Sequence, residues 1–233
     1  NKNFNLMTEK LKSQQDKLII TERHEAWESL ARKLAHEIKN PLTPIQLTID
    51  RLRNKFSKAL SSDQKSNFTD SLKIIDKQIK QIENLVNEFS DFARMPKPIL
   101  KNNNLVNIIN DNLNLLKTLD KNIELDFINK KKEIFYRSDN EQLSRVFFNL
   151  IKNAIESVQE KCLESPITKG KIIIEINDYD DYIEFTIKDN GKGFKDLKNI
   201  KEILNPYFTT KKEGTGLGLA IVNKIINDHN GSI

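Results

Sequence analysis

The sequence predicts two units of different structural class: a helical hairpin that pairs into a dimeric four-helix bundle, followed by an α+β two-layer sandwich. Two segments of heptad-spaced apolar residues, separated by a polar turn, predict the hairpin. A change of pattern near residue 104, to short strands of alternating apolar residues between helices, predicts the sandwich. The 233 residues, of which 37% are hydrophobic, suffice for two domains.

Each predicted helix of the hairpin carries two apolar series with a spacing of seven residues. In the first helix the series are Ala35, Leu42, Ile49 and Phe56, and Ile38, Ile45, Leu52 and Ala59. In the second helix they are Leu72, Ile79, Val86 and Ala93, and Phe68, Ile75, Ile82 and Phe89. This spacing is that of a coiled-coil seam, in which both series face a partner helix.

The segment between these helices and the segment after them predict where the hairpin turns and ends. Ser61, Ser62 and Asp63 favour a turn and a helix N-cap, and Pro96 and Pro98 end the second helix. One hairpin buries each apolar stripe on one side only. We therefore expect two hairpins to form a four-helix bundle and the chain to be a homodimer.

One histidine of the first helix stands out from the other two in the chain. His36 lies beside the seam and points toward solvent, with Asn40 one turn later on the same face. A lone exposed histidine is usually a plain surface residue, and we interpret His24 and His229 in that way. His36 differs because it begins the run His36-Glu37-Ile38-Lys39-Asn40-Pro41.

Two further features of the first helix bear on its conformation. Pro41 lacks a backbone N–H and is expected to bend or loosen the helix one turn beyond His36. Upstream, apolar residues are sparser among many charges, so residues 1–24 are either a connecting helix or a frayed linker.

The second unit is expected to combine helices with short strands in one sheet that helices cover on one face. The helices are predicted at 105–117, 139–161 and 219–226, and the strands at 125–128, 134–137, 172–176 and 183–188. The last two strands form a hairpin with residues 179–182 as its turn. Parallel doubly wound nucleotide folds do not fit, because no glycine fingerprint follows a first strand and the P-loop sequence is absent.

Three motifs of the second unit nevertheless point to a nucleotide. Asn149 and Asn153 are one turn apart on one face of a helix. Asp189 ends a strand, and Gly191 and Gly193 behind it let the backbone approach a ligand closely. A third cluster precedes an apolar helix, so that phosphates can meet free amides at the helix N-terminus. That cluster contains Gly214, Gly216 and Gly218.

This order of motifs resembles the sensor histidine kinases of two-component signalling, from about residue 25 to the end of the chain. Within that family, the stretches 31–55 and 88–100 are most similar to the nitrogen-regulation sensor kinases of NtrY type. The resemblance implies the ATP-binding fold that histidine kinases share with gyrases, Hsp90 and MutL, known as the GHKL or Bergerat fold. It also implies ATP and Mg²⁺ as cofactors and the receiver domain of a response regulator as partner.

The resemblance further implies roles for individual residues. His36 is the phosphate acceptor, Glu37 the base that draws off the imidazole proton, and Asn40 the residue that orients water in a phosphatase reaction. Asp189 accepts a hydrogen bond from the adenine amino group, and Asn153 binds Mg²⁺. The remaining nucleotide-binding residues are expected to be Asn149, Lys152, Gly191, Gly193, Tyr207, Phe208, Lys211, Gly214, Thr215, Gly216, Leu217 and Gly218.

Two departures qualify the resemblance. Gyrase-type relatives carry a water-activating glutamate where this chain has Asn149, so ATP hydrolysis is expected to be slow and the phosphoryl group to pass to a histidine instead. The family's motif matching residues 229–233 leads into a further strand pair that does not follow in this sequence. We therefore expect a sheet without its C-terminal strands. The predicted domains are 1–24 (connecting segment), 25–96 (dimerisation and phosphotransfer), 97–103 (linker) and 104–233 (ATP binding).

Composition limits the partners. The net charge of +5 comes from scattered residues, and the compact basic run, Lys130 to Lys132, has no interleaved aromatic residues, so we expect no nucleic-acid partner. No apolar stretch approaches the roughly 18 residues of a membrane span. The single Cys162 excludes an internal disulfide and suits a reducing compartment. We expect a cytoplasmic fragment without membrane contact, belonging to a protein anchored in the bacterial inner membrane.

Two alternatives to a histidine kinase stay open at this point. One is a dimeric signalling scaffold with a degenerate nucleotide domain, which the absence of the C-terminal strands favours. The other is a gyrase-like ATPase, which Asn149 disfavours.

Overall fold

The structure is a computed structural model that describes residues 2–56, 62–118, 122–164, 169–194, 200–211 and 214–233, with side chains described from residue 29 onward except those of 62, 63 and 200. The predicted turn residue Ser61 and seam residue Ala59 lie outside the described residues. The chain divides into two compact units, Asn1–Met95 and Pro96–Ile233. In the part of the chain so described, no helix has the length and apolar character that crossing a membrane requires.

The first unit is a hairpin of two long helices, α1 (Lys2–Phe56) and α2 (Ser62–Ala93). Helix α1 stays helical on both sides of Pro41 and also contains Pro44, which the sequence reasoning did not single out. Helix α2 ends before Pro96, as predicted, because proline cannot continue the backbone hydrogen-bond ladder. A helical hairpin is therefore confirmed.

One apolar series of each helix forms the core of the hairpin. Leu42 and Ile49 of α1 form a buried cluster with Leu72 and Ile79 of α2, and Phe68 packs against it. The second series of each helix was expected in the core of the bundle, but most of its described members are exposed in the single chain, and only Phe68 and Phe89 are half-buried. Its exposed members are Ile38, Ile45, Leu52, Ile75 and Ile82, each between 36% and 44% accessible. Two helices have too few faces to cover both series.

A polar contact also joins the two helices of the hairpin. Asp76 of α2 forms an ion pair with Arg53 of α1 and accepts a hydrogen bond from Gln46 Nε2 at 3.0 Å. Gln46 and Arg53 are seven residues apart, so they lie on the same side of α1. The contact therefore favours one register of α1 against α2.

The described residues of the second unit form five strands, three α-helices and a short 3-10 helix. In chain order they are β1 (Lys101–Asn104), α3 (Leu105–Leu116), β2 (Ile123–Asn129), β3 (Phe135–Ser138), α4 (Asn140–Glu164), β4 (Gly170–Asp178), β5 (Ile183–Asp189), the 3-10 helix Ile200–Leu204 and α5 (Gly218–Asp228). The predicted α+β class is confirmed, with element ends shifted by a few residues. Strand β1 lies partly in the segment that was predicted to be a linker.

The described strands form two sheets where one was expected. Strand β1 pairs antiparallel with β3, with Lys101 opposite Ser138. The larger sheet has the order β2-β4-β5, in which β2 is parallel to β4 and β4 is antiparallel to β5. The β4–β5 hairpin closes as predicted, with the N–H of Tyr179 donating to the carbonyl of Tyr182 at 2.9 Å.

Helix α4 lies at the centre of the second unit. Ile151 and Val158 on one of its faces are fully buried, together with alternating residues of β4 such as Ile174. The ring of Phe147 lies 4.6 Å from that of Phe185 on β5. This apolar face holds α4 against the sheet, and the half-buried polar face that carries the two asparagines is held in place with it.

Candidate nucleotide site and phosphoacceptor

The polar face of α4 brings four side chains into one row. Asn149, Lys152, Asn153 and Glu156 follow each other at spacings of three, one and three residues, and all but Lys152 are half-buried. The Asn149 amide donates to the carbonyl of Arg145 at 2.9 Å, which fixes its orientation. Sequence reasoning missed Glu156, although its spacing from Asn153 placed it on the same face.

The third glycine cluster meets this row at the start of α5. A Cβ atom on Gly218 would lie 3.6 Å from Asn149 Oδ1 and 4.0 Å from Asn153 Nδ2. The first turn of a helix has free backbone N–H groups, which favour anions. The structure therefore brings an anion-binding helix end and two side-chain amides to the same place.

The backbone before α5 folds tightly onto itself. The N–H of Tyr207 donates to the carbonyl of Gly216 at 2.9 Å, and both residues have positive φ angles, 68° and 69°. A Cβ on Gly216 would lie 2.5 Å from the carbonyl carbon of Tyr207, so glycine is needed there. Leu217, next to it, is fully buried and anchors the loop. Tyr207 itself is exposed and Phe208 is half-buried.

Lys211 is the basic residue that this loop presents to α4. Its Nζ lies 3.4 Å from Asn153 Oδ1 and forms an ion pair with Glu156. Lys152 lies on the other side of the same carboxylate, with its Nζ 3.8 Å from Glu156 Oε1. A single carboxylate thus lies between two ammonium groups, next to the asparagines. The two ammonium groups and one carboxylate leave one net positive charge, which can attract an anionic ligand.

The Asp189 loop docks on α4 one turn beyond Asn153. The Asp189 carboxylate accepts a hydrogen bond from the N–H of Gly191 at 2.9 Å, and the N–H of Lys192 donates to the carbonyl of Ser157 at 3.1 Å. A Cβ on Gly191 would lie 2.3 Å from Ser157 Oγ, so a larger residue would lift the loop off the helix. Gly193 has a φ of 68° and open space around it.

A residue of this loop that sequence reasoning missed ties it to the sheet. The side chain of Asn190 accepts from the N–H of Lys171 at 2.8 Å and donates to the carbonyl of Lys169 at 3.1 Å. Both contacts reach the start of β4, so the loop is tied to the sheet as well as to α4. The Asp189 carboxylate is itself exposed, so a ligand can reach it.

The residues around His36 belong to the first unit. His36 and Asn40 are both exposed on α1, as predicted. Glu37 is exposed and forms a distant ion pair of 3.9 Å with Lys33, one turn earlier. The imidazole is thus accessible to a partner, as a phosphate acceptor requires.

The prediction that His229 is a plain surface residue is wrong. Its side chain is only 4% exposed, and it packs at the end of α5. The tertiary structure explains this burial, because both ring nitrogens form hydrogen bonds with the backbone. Their partners are the N–H of Asp139 and the carbonyl of Ile225. The run His-Asn-Gly at the end of an apolar helix was the available signal. The side chain of His24 lies outside the described residues.

Asp139 immediately precedes α4 and accepts three backbone hydrogen bonds. The N–H groups of Ile99, Glu141 and Gln142 donate to its carboxylate at 2.8, 3.1 and 3.1 Å. Burial alone would raise the pKa of Asp139, but these hydrogen bonds to the charged form outweigh it, and the pKa lies below 3.8. The carboxylate therefore caps the helix that carries the asparagine pair.

Comparison with known families agrees with both units. Residues 26–98 match the His Kinase A (phospho-acceptor) domain. Residues 138–233 match the histidine kinase-, DNA gyrase B- and HSP90-like ATPases. The two matches follow each other in the order that the sequence motifs predicted.

Two curated relatives align with nearly the whole length of this chain. The chain is 38% identical over 228 residues to an NtrY-like sensor histidine kinase of Rickettsia bellii, covering 98% of this chain and 36% of that protein. It is 37% identical over 216 residues to the nitrogen regulation protein NtrY of Azorhizobium caulinodans, covering 93% of this chain and 28% of that protein. The chain thus spans about a third of the length of these curated relatives.

Solved structures show the same architecture. Histidine kinase ThkA, in complex with response regulator protein TrrA, aligns with a TM-score of 0.59 at 25% identity, covering 90% of this chain and 57% of that one. Full-length ShkA in complex with AMPPNP aligns with a TM-score of 0.63 at 21% identity, covering 86% of this chain and 41% of that one, which shows a shared fold. With its phospho-acceptor and ATPase matches and these relatives, the chain belongs to the two-component sensor histidine kinases and is NtrY-like.

Proposed function

We propose that this chain is an ATP-dependent protein histidine kinase, which phosphorylates His36 and passes the phosphoryl group to an aspartate of a response regulator. The observation that carries the proposal is the approach of Gly218 to Asn149 and Asn153. It joins the asparagine face of α4 to the anion-binding end of α5, as a site for a phosphate chain requires.

The proposed reaction transfers a phosphoryl group in two steps, first from ATP to His36 and then from His36 to an aspartate. A ring nitrogen of His36 attacks the γ-phosphorus of ATP, the bond from phosphorus to the β–γ bridging oxygen breaks, and ADP leaves. The imidazole N–H proton passes to the carboxylate of Glu37. In the second step an aspartate oxygen of the regulator takes the phosphoryl group from the imidazole. Such transfers depend chiefly on positioning and charge, and a histidine acceptor needs no water-activating carboxylate at Asn149.

Each end of the nucleotide has its own contacts in this proposal. The adenine amino group donates to the exposed Asp189 carboxylate, beside the close-packed backbone of Gly191. The phosphates meet the amides around Gly216 and Gly218. Lys152, Lys211 and Thr215 supply further phosphate contacts, and Tyr207, Phe208 and Leu217 shape the loop that covers them.

Asn153 fits the proposed Mg²⁺ site by the chemistry of its donor atom. Its amide oxygen accepts a hydrogen bond from the ammonium group of Lys211, so this oxygen already faces a positively charged group. Hard divalent cations prefer oxygen ligands of this kind. When bound, Mg²⁺ would be held by Asn153 and would neutralise charge on the phosphates.

The exposed series of the hairpin supports a homodimer. Ile45 of α1 and Ile82 of α2 are 44% and 41% exposed, although their seven-residue spacing is that of a core seam. A second hairpin would cover both and complete a four-helix bundle. We propose this dimer as the active form.

A response regulator is the proposed partner, and nitrogen regulation the proposed pathway. The complex of ThkA with TrrA supports the partner, and the similarity to NtrY of Azorhizobium caulinodans supports the pathway. Asn40, exposed one turn from His36, is proposed to orient water against the aspartyl phosphate of the regulator. Membrane anchoring of the full-length protein stays a prediction.

Labelling with γ-³²P-ATP and Mg²⁺ tests the proposed kinase. The expected product is a phosphoprotein whose label is lost in acid and survives alkali. His36→Gln should abolish the label, while the matched control His24→Gln on the same helix should retain it. A scaffold would give no label, and an ATPase would release free phosphate. Either result, or equal labelling of His36→Gln, would contradict the proposal.

A further inference from the structure

We propose that Glu156 is a positioning residue of the nucleotide site, whose carboxylate holds Lys211 until the phosphate chain of ATP takes its place. The inference rests on the proposed function, because it requires that the site bind ATP. In this proposal the carboxylate of Glu156 and the phosphates of ATP compete for the ammonium group of Lys211.

The contacts of Lys211 are the first step. Its ammonium group lies between Asn153 Oδ1, at 3.4 Å, and the carboxylate of Glu156. The Lys211 side chain is 26% exposed and that of Glu156 is 35% exposed. This partial burial makes the ion pair stronger than one at an open surface. The ion pair therefore holds Lys211 against α4.

Hydrogen bonds also fix the backbone of Lys211, so the position of its Cα atom is well defined. Its N–H donates to Thr209 Oγ1 at 3.1 Å, and its carbonyl accepts from the N–H of Gly214 at 3.3 Å. A Cβ on Gly214 would lie 2.5 Å from Thr209 Oγ1, so Gly214 packs closely against Thr209. Exchange of Glu156 for a phosphate then needs chiefly a side-chain rotation, because the ammonium group contacts Asn153. The amide of Asn153 in turn lies 4.0 Å from a Cβ placed on Gly218, at the start of α5.

Competition lowers the apparent affinity for ATP. A ligand that needs a released Lys211 binds only the fraction of molecules in which the ion pair is open. Lys152, 3.8 Å from Glu156, contributes a second and weaker pair. Loss of the Glu156 charge should free both lysines. The resulting gain in affinity should appear only for ligands that carry phosphates.

Calorimetric titration of the whole chain with ATP and Mg²⁺ tests the inference. Glu156→Gln keeps the size of the side chain and removes its charge, and it should tighten ATP binding by about three- to tenfold. Binding of adenosine, which has no phosphates, should not change. The control Glu141→Gln removes the same charge from an exposed position of α4 and should leave both affinities unchanged.

A double-mutant cycle shows whether the effect passes through Lys211. In the Lys211→Met background, Glu156→Gln should produce less than about a twofold change. An unchanged or weaker ATP affinity in Glu156→Gln, or the same gain without Lys211, would overturn the role of Glu156 alone. Failure of the unmodified chain to bind ATP would overturn the proposed function together with this inference.

Discussion

The backbone N–H of Asp139 donates a hydrogen bond of 3.0 Å to Nε2 of His229. The other ring nitrogen, Nδ1, lies 2.8 Å from the carbonyl of Ile225, to which an N–H at that position can donate. The hydroxyl of Tyr136 donates to the His229 carbonyl at 2.9 Å. One buried histidine thus joins the end of α5 to β3 and to the start of α4.

Removal of this histidine should destabilise the second unit. His229→Leu leaves the partly buried N–H of Asp139 without its acceptor, which should cost about 1 kcal/mol, the lower end of the range for unsatisfied buried groups. Native-state hydrogen exchange of the α5 amides should become correspondingly faster. His24→Leu, on α1, serves as the control. Unchanged exchange in α5 would show that the ring contributes little to the stability of this unit.

The stability of the second unit should fall in acid through Asp139. Because its pKa in the folded chain lies below 3.8, the unfolded chain binds a proton there first as the pH falls. The stabilisation is present above pH 3.8 and is lost as the pH falls through the folded-state pKa. Asp139→Asn should be less stable at neutral pH and should lack this acid-dependent component. Urea unfolding between about pH 6 and pH 2 measures both, and parallel pH profiles of the two proteins would contradict the assignment.

Mg²⁺-dependent nucleotide binding should depend on Asn153. Asn153→Ala removes the proposed oxygen ligand from a half-buried position and should weaken ATP binding in Mg²⁺ by about tenfold. Binding without the metal should change much less, and the dimer should persist in light scattering. Asn114→Ala, at an exposed position of α3, is the matched control. Calorimetry that finds equal Mg²⁺-dependent affinities in Asn153→Ala and the parent would exclude the metal role.

The exposed apolar series predicts the dimer interface. Ile45→Asp places a charge where the second hairpin should pack, and it is expected to dissociate or unfold the bundle. Leu47→Asp is the control, because Leu47 is also exposed but lies two residues away, on the side of the heptad opposite the seam. Light scattering on residues 25–95 gives the masses. A monomeric parent fragment, or equal effects of the two variants, would count against the interface.

The two proposed activities should separate at Asn40. Loss of its amide should slow hydrolysis of the regulator's aspartyl phosphate by roughly a hundredfold, if positioning of the water dominates. Autophosphorylation of His36 uses no water and should be much less affected. The assay is Asn40→Ala with phosphorylated regulator and ADP. Dephosphorylation at the parent rate, or an equal loss of both activities, would refute a separate role for Asn40.

Local periodicity was enough to predict much of the fold. The heptad series predicted α1 and α2, because a repeat of 3.5 residues keeps one face of a helix, which has about 3.6 residues per turn, toward a packed partner helix. Alternation of apolar residues predicted β4 and β5, because the side chains of a strand point to opposite faces with a period of 2. Strand β1 was missed because its sequence, Lys-Asn-Asn-Asn, has no apolar alternation. It becomes a strand by pairing with β3, whose partner residues are more than 30 positions away.

The sequence likewise predicted some features of the candidate site and not others. The spacing of Asn149 and Asn153 is enough to predict that both lie on one helix face, because that distance is one helical turn. The approach of Gly218 to them, the pairing of Lys211 with Glu156 and the burial of His229 join residues from 55 to 90 positions apart. Such contacts depend on how α5 and its loop pack on α4, and no local pattern encodes that packing. The sequence by itself thus determined which groups were available and on which element faces they lie, whereas the tertiary structure decided which of them meet.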